Sequence, residues 1–343
     1  MLVTSLLKGI AGGLALVAVA AAALAQDRYF FEGRASLPAH DRNAVAALGQ
    51  RLFFDERLSG TGTTACASCH QPAYAFAEPR YVSISDNGRR GRRNAPSLMN
   101  VAFRPTLMWD GRFRTLEQQA LSPFVRGEMG ITVEEAVHRL NADPQYEHLF
   151  SRAFGHPPTA DTMAVALAAY QRTLISGESR VERFLLTNDG AMLSRLEREG
   201  LIVFDTRAAC SSCHRLARPR GELGDGPLLL TDNRFHNLGT GYQSGRVIDV
   251  GRFAVSRVKS DVGAFRTPPL HNVARTGPYM HDGSLPTLED VVAFYDAGGR
   301  PNPNLSPLIR PLFLNEYERA ALVAFLRALT DRQLEPSGRL SRW

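Results

Sequence analysis

Two short runs constrain this chain more than anything else in it: "CASCH" (Cys66, Cys69, His70) and "CSSCH" (Cys210, Cys213, His214). Together they use every cysteine of the 343 residues. C-x-x-C-H is the attachment pattern of c-type haem: two thiols form thioethers with the macrocycle, and the adjacent histidine reaches the iron from one side. Structural zinc needs four ligands per site and does not account for a histidine after each pair. Thioredoxin-type chemistry requires a βαβ setting that neither flank offers. Two covalent haems are therefore expected, held by Cys66 and Cys69 and by Cys210 and Cys213, with His70 and His214 as axial ligands.

The flanks point to duplication. "LGQRLFFDERLSGTGTTACASCH" and "REGLIVFDTRAACSSCH" each run an apolar helix end into Phe-Asp, then a loop, then the haem motif. Two related haem domains follow, residues 26–180 and 181–343, with the boundary near "LISGESRVERF". Strand signals are few. "TVEEAVHRLNADPQYEHLFSRAF" opens on a capping box, Thr132 with Glu135, and "DTMAVALAAYQRTLI" reads as amphipathic, as does the last helix, "NEYERAALVAFLRALTD". The expected fold is mainly α, two c-type cytochrome domains with long loops, each using its macrocycle as part of the core.

The first 25 residues carry one lysine, Lys8, then an apolar run of small residues ending in Ala-Leu-Ala, the pattern of a cleaved secretory signal. An exported, periplasmic chain without stable membrane insertion is expected. Formal charge is +6, almost all of it from arginine, since Lys8 and Lys259 are the only lysines. The basic residues are spread along the chain apart from "GRRGRR" at 88–93. That run reads as a loop near anionic groups or a solvated loop, not as a nucleic-acid site.

Function depends on the far side of each iron. A second strong ligand makes an electron carrier, whereas an open position admits peroxide or oxygen. No histidine lies between His70 and His138. Met99 and Met108 remain as possible ligands, though methionine in "PSLMNVAF" or "PTLMWDG" is more often core packing.

The chain resembles the bacterial di-haem cytochrome c peroxidase family, and within it the MauG-type branch. The resemblance runs through "LFFDERLSGTGTTACASCH", "RNAPSL", "WDGRFRTLEQQAL", "CSSCH", "FRTPPLHNVARTGPYMHDGSLPTLEDVVAFYDAGG" and "ALVAFLRALTD". In relatives that need reductive activation, a histidine in the loop before the Asn-x-Pro motif closes the first haem. Here that loop, "SISDNGRRGRRNAP", has none, so the resemblance implies an open first haem. It also implies a distal pocket of Glu128, Gln119 and Pro123, with Glu128 moving a proton during peroxide cleavage. The interval from proline to glutamate is one residue shorter than the family's. Trp109 matches the aromatic residue between the haems. Asn94, Thr276 and Pro278 match a calcium site made of one amide oxygen and two carbonyls. His236, His271 and His281 are read as hydrogen-bonding residues near propionates or calcium.

Thr287 caps a helix through "LEDVVAFYDA" to Gly298, with Asp290 three residues on. Val291, Phe294 and Tyr295 are expected to share its inward face. By resemblance Tyr295 falls where electron-transferring peroxidases carry an axial methionine and MauG-type proteins a tyrosine; Met280 comes too early. Tyrosinate favours ferric and higher states, thioether the ferrous state. The leading expectation is peroxide reacting at the first haem and a protein partner being oxidised, at tryptophan in the MauG manner. The alternatives are a peroxidase fed by a small c-type cytochrome or cupredoxin, and a di-haem carrier without catalysis.

Overall fold

A computed structural model describes residues 39–216 and 227–334. The expected signal segment, residues 1–25, lies outside these. The described chain is mostly helical, with four short strands. Its helices are α1 Ala39–Phe53, α2 Cys66–Cys69, α3 Leu116–Leu121, α4 Val133–Asn141, α5 Pro144–Phe154, α6 Ala160–Gln171, α7 Arg180–Thr187, α8 Arg195–Asp205, α9 Phe253–Ser256, α10 Leu288–Asp296 and α11 Glu316–Ala328. Strands β1 Phe235–Asn237 and β4 Ala264–Arg266 pair antiparallel, with His236 opposite Phe265. β2 Tyr242–Gln243 and β3 Arg246–Val247 form a tight hairpin. No helix among the described residues is long and apolar enough to cross a membrane.

Local chemistry sets most helix ends. Thr132 and Glu135 close the expected capping box, and Thr287 with Asp290 closes another, after which α10 ends at Gly298 in the left-handed region (φ 82°). The stretch from Thr132 to Phe154 folds as two helices. Asp143 caps the second and Pro144 opens it, because proline fits the first turn and interrupts a helix interior. α6 is also not amphipathic. Met163, Ala164, Ala166, Leu167, Ala168 and Tyr170 are all buried around its circumference, which makes it the central helix of its half.

Within the compact unit Val45–Trp343, each haem motif is preceded by a helix packed on a later one in the same manner. In the first half Gly49 of α1 lies against Ala166 of α6, and Phe53 meets Tyr170 one turn on, ring centroids 5.1 Å apart. In the second, Gly200 of α8 lies against Ala321 of α11, and Phe204 meets Phe325 at 4.9 Å. Glycine at both crossings lets the backbones approach more closely than any side chain would allow.

A second repeat follows, in which residues correspond 172 positions apart: "NVAF…LMWDG…T" from Asn100 and "NVAR…YMHDG…T" from Asn272. Both asparagines adopt φ 56° and each is followed by a 3₁₀ turn. Met108 and Met280 share a positive φ, as do Gly111 and Gly283, and matching bridges join Leu107 to Phe113 and Tyr279 to Leu285. The two asparagines converge on one seam. Asn100 donates from Nδ2 to the Ser176 carbonyl (2.8 Å), and Asn272 donates from Nδ2 to Ser176 Oγ (2.9 Å).

Candidate functional site: two histidine clasps and a shared cavity

His70 and His214 are held alike. The Nδ1–H of His70 donates to the Phe76 carbonyl at 3.0 Å, and that of His214 to the Leu230 carbonyl at 3.0 Å. This fixes the tautomer that leaves Nε2 unprotonated. Burial depresses both imidazole pKa values and so favours the neutral, ligating form. The four cysteines form no disulfides. Burial, with the neighbouring Cys69, pushes the Cys66 thiol up to about 12, and burial with Cys213 does the same for Cys210. Protonated thiols make poor ligands for zinc or for redox exchange.

One apolar-lined cavity gathers most of the predicted residues of the second half and the seam. Cys210, Cys213, His214, Tyr295, Trp109, Asn94, Thr276, Pro278 and Met280 all line it. Tyr295 faces inward as expected, from a stripe of α10 made by Leu288, Val291, Val292 and Tyr295. Phe294 is not on that stripe, contrary to the sequence reading; it meets Tyr295 edge-on, 5.6 Å between centroids. Burial raises the Tyr295 phenol pKa, and the two nearby cysteines add to it. Its hydroxyl has no hydrogen-bond partner among the described residues. A phenol in that state ionises only when a cation binds it.

Asn94 uses its Nδ2 on the carbonyls of Glu78 (3.1 Å) and Arg80 (2.6 Å), which leaves Oδ1 undonated to. The Thr276 and Pro278 carbonyls likewise accept no hydrogen bond among the described residues. Three hard oxygens on residues that line one cavity are a donor set that suits a calcium ion with water completing its shell. Trp109 is tied to the same place, its Nε1–H donating to the Asn94 carbonyl at 2.9 Å.

The three histidines set aside as hydrogen-bonding residues divide. His236 Nε2 lies 2.9 Å from Asp232 Oδ2 and His271 Nε2 lies 3.3 Å from Glu182 Oε1. His281 Nε2 lies 3.7 Å from the Asp249 carboxylate, too long for a hydrogen bond. It stacks on Phe265 instead, 3.6 Å between centroids, and meets Trp109 edge-on at 6.5 Å. Burial brings its pKa down to about 4.

Around the first motif, Met99 is core, 2% exposed. Gln119 is in α3, and Pro123 begins a tight turn in which its carbonyl accepts from the Met129 amide at 3.1 Å. Glu128 sits on this turn, its own carbonyl accepting from the Asp86 amide at 2.8 Å. Glu128 is exposed to solvent. Burial raises its pKa against the opposing charge of Arg112, and it is close enough to influence the Cys69 thiol electrostatically. The shortened interval thus leaves Glu128 within electrostatic reach of the first motif. The arginine run is a loop near anionic groups: Arg93 makes two bonds of 2.8 Å to Asp249 and one of 2.7 Å to Asp110.

Two residues of this cavity were not anticipated. Arg104 and Arg266 are 4% and 2% exposed and line it without a carboxylate partner among the described residues. Arg104 Nε has no hydrogen bond, and burial beside Arg266 lowers the Arg104 pKa strongly. Buried unpaired guanidinium groups are costly unless an anion neutralises them. A ligand carrying carboxylates, as haem does, supplies one. Sequence could not signal this, because nothing local distinguishes a buried arginine from the other arginines of the chain. The long repeat, by contrast, was available: it makes Pro123 the counterpart of Tyr295, and Trp109 that of His281.

Comparison with known proteins agrees with this geometry. Residues 43–190 match the family described as di-haem cytochrome c peroxidase. The methylamine utilization protein MauG of Methylorubrum extorquens is 37% identical, over 82% of this chain and 77% of that one. Cytochrome-c peroxidase IdrP1 of Denitromonas iodatirespirans is 36% identical, over 83% and 81%. Among solved structures, a MauG-like protein associated with microbial copper homeostasis superposes with a TM-score of 0.75 at 35% identity, covering 87% of this chain and 92% of that one. A fold of two clasped histidines behind paired thiols defines a di-haem c-type oxidoreductase. This chain belongs to the di-haem cytochrome c peroxidase family, with MauG among its relatives. Membership carries two c-type haems, hydrogen peroxide as substrate and a redox partner, and both clasps, the free thiols and the buried arginines fit those groups.

Proposed function

We propose that this protein is a periplasmic, MauG-like enzyme that uses peroxide to oxidise a protein partner, with tryptophan as the side chain attacked. Haem iron, when bound, supplies peroxide reduction and the oxidising equivalents. His70 would hold the iron of the N-terminal haem, and His214 with Tyr295 that of the C-terminal one. Glu128 takes a proton from peroxide and returns it to the leaving oxygen, with Gln119 and Pro123 shaping the pocket. Trp109, between the two sites, relays charge. Asn94, Thr276 and Pro278 hold calcium against that relay. Two domains, 26–180 and 181–343, carry one haem each.

The observation that carries this reading is Tyr295: a half-buried phenol without a hydrogen-bond partner among the described residues, lining one cavity with His214 and the thiols. A hard oxygen donor there disfavours a resting reduced haem and favours sharing of oxidising equivalents. Replacing Tyr295 with methionine or histidine in the haem-loaded protein tests it. Covalent haem content is expected to persist, while the peroxide-induced optical change and the oxidation of protein are lost. An unchanged spectrum removes Tyr295 from the iron.

The second reading, a peroxidase drawing electrons from a small c-type cytochrome or cupredoxin, keeps a specific support, since a relative named a cytochrome-c peroxidase is as similar as MauG. Rapid turnover with a reduced cytochrome, indifferent to Tyr295, selects it.

A further inference from the structure

One stretch of surface combines exposed aliphatic residues with unpaired cations. Between Arg246 and Lys259, Val247, Ile248, Val250, Val255 and Val258 are 39–53% exposed. Arg246, Arg257 and Lys259 are exposed in the same segment and, among the described residues, have no ion-pair partner. Beside it lies the arginine loop, where Arg89 and Arg90 are equally unpaired. The two are joined: Arg92 donates to the Ile248 carbonyl at 2.6 Å, and Arg93 holds Asp249. Asp249, the only acid of the segment, is thereby neutralised; Asp261 lies two residues beyond it. Arg252 does not add to the exposed charge. It turns inward to the Asp110 and Gly111 carbonyls and covers the Phe235 ring at 4.4 Å.

The patch is also rooted at the seam between the two motifs. Arg93 bonds Asp110, the neighbour of Trp109, and precedes Asn94, whose carbonyl receives the indole N–H. Two hydrogen bonds and a few covalent bonds separate Trp109 from the backbone of the exposed segment. Nothing in the folding of this chain calls for five exposed aliphatics ringed by like charges. An apolar centre with arginine at its edge is the composition of a protein interface.

We propose that the segment Arg246–Lys259, together with the loop of Arg89 and Arg90, is the docking surface for a protein partner that presents an acidic face. This rests on a protein giving electrons to the haems, which both readings above share. The cations would steer encounter and the aliphatics would supply the contact once seated.

The test uses the full haem-loaded chain with peroxide and three reductants: an acidic small c-type cytochrome, a basic one, and a small aromatic reductant. R246E/R257E/K259E is expected to raise the apparent KM for the acidic cytochrome roughly tenfold at low salt and to flatten its salt dependence. Activity toward the small reductant stays within about twofold, since a rim charge acts on encounter and not on chemistry. V255S/V258S raises KM without changing the salt slope. The surface is refuted if both variants keep the wild-type KM and salt slope while protein turnover continues, or if the wild type prefers the basic cytochrome. If the small reductant is turned over but no protein is, the protein-partner reading itself fails and the surface falls with it.

Discussion

Substituting Gly200 by alanine sets two physical effects against each other. Gly200 is in the interior of α8, where alanine is intrinsically favoured by about 0.8–1 kcal/mol. A Cβ there would stand 2.6 Å from the Ala321 carbonyl carbon and 2.7 Å from Phe325 Cβ, where ordinary contact begins at 3.4 Å. Both obstacles are part of α11, as is the Ala321 carbonyl oxygen, which lies nearer still, so none can swing aside; the helices must part by about an ångström. Overpacking of this kind costs about 1–3 kcal/mol. With rigid obstacles the upper end applies, and after the propensity gain the net destabilisation is about 2 kcal/mol. For a chain of this size that lowers the melting temperature by about 4 °C. Calorimetry of the haem-loaded variant, with a urea midpoint beside it, reads this directly. A melting temperature equal to or above wild type would mean that propensity wins and that α8 and α11 do not touch at Gly200. Gly49→Ala, against Ala166 and Tyr170, is expected to behave in the same way.

Two further outcomes follow from the first motif. Burial holds the Glu128 carboxyl above its ordinary 4.5, so its basic form grows in over a correspondingly higher pH range. The rate of reaction with peroxide should rise with pH through that raised value, and Glu128→Gln should remove the limb and slow the reaction by about 10²–10⁴; an unaltered pH profile in stopped-flow measurements dismisses Glu128 as the base. Pro123→Met places a thioether at the counterpart of Tyr295 and is expected to weaken cyanide binding to the ferric first haem at least tenfold. Unchanged cyanide affinity would show that the correspondence does not extend to the iron.

Much of this was legible in the chain. The haem attachment residues follow from a covalent motif whose spacing is dictated by the macrocycle. The α10 cap at Thr287 and the inward turn of Tyr295 follow from side-chain hydrogen bonding and helical period. Other features depend on tertiary context. The encirclement of α6 is invisible to periodicity because alanine suits both a surface and a tight core. Phe294 could be assigned to the Tyr295 face only by sequence spacing, and neighbouring packing decided otherwise. Arg104 and Arg266 became conspicuous only through burial, and burial is a property of the assembled fold.

The long repeat has a consequence for how such a molecule comes to exist. Two copies of one module begin with equal prospects at their metal centres, and Pro123 facing Tyr295 across the duplication is a difference of one side chain. Proline has nothing to offer an iron, and phenol does. Under the proposed assignment, reactivity in one copy and reserve in the other can diverge at this site without redesign of the scaffold. The mutational distance between a donor of electrons, a sink for them and an oxidant of other proteins is then short, which accounts for one architecture serving proteins with such different names.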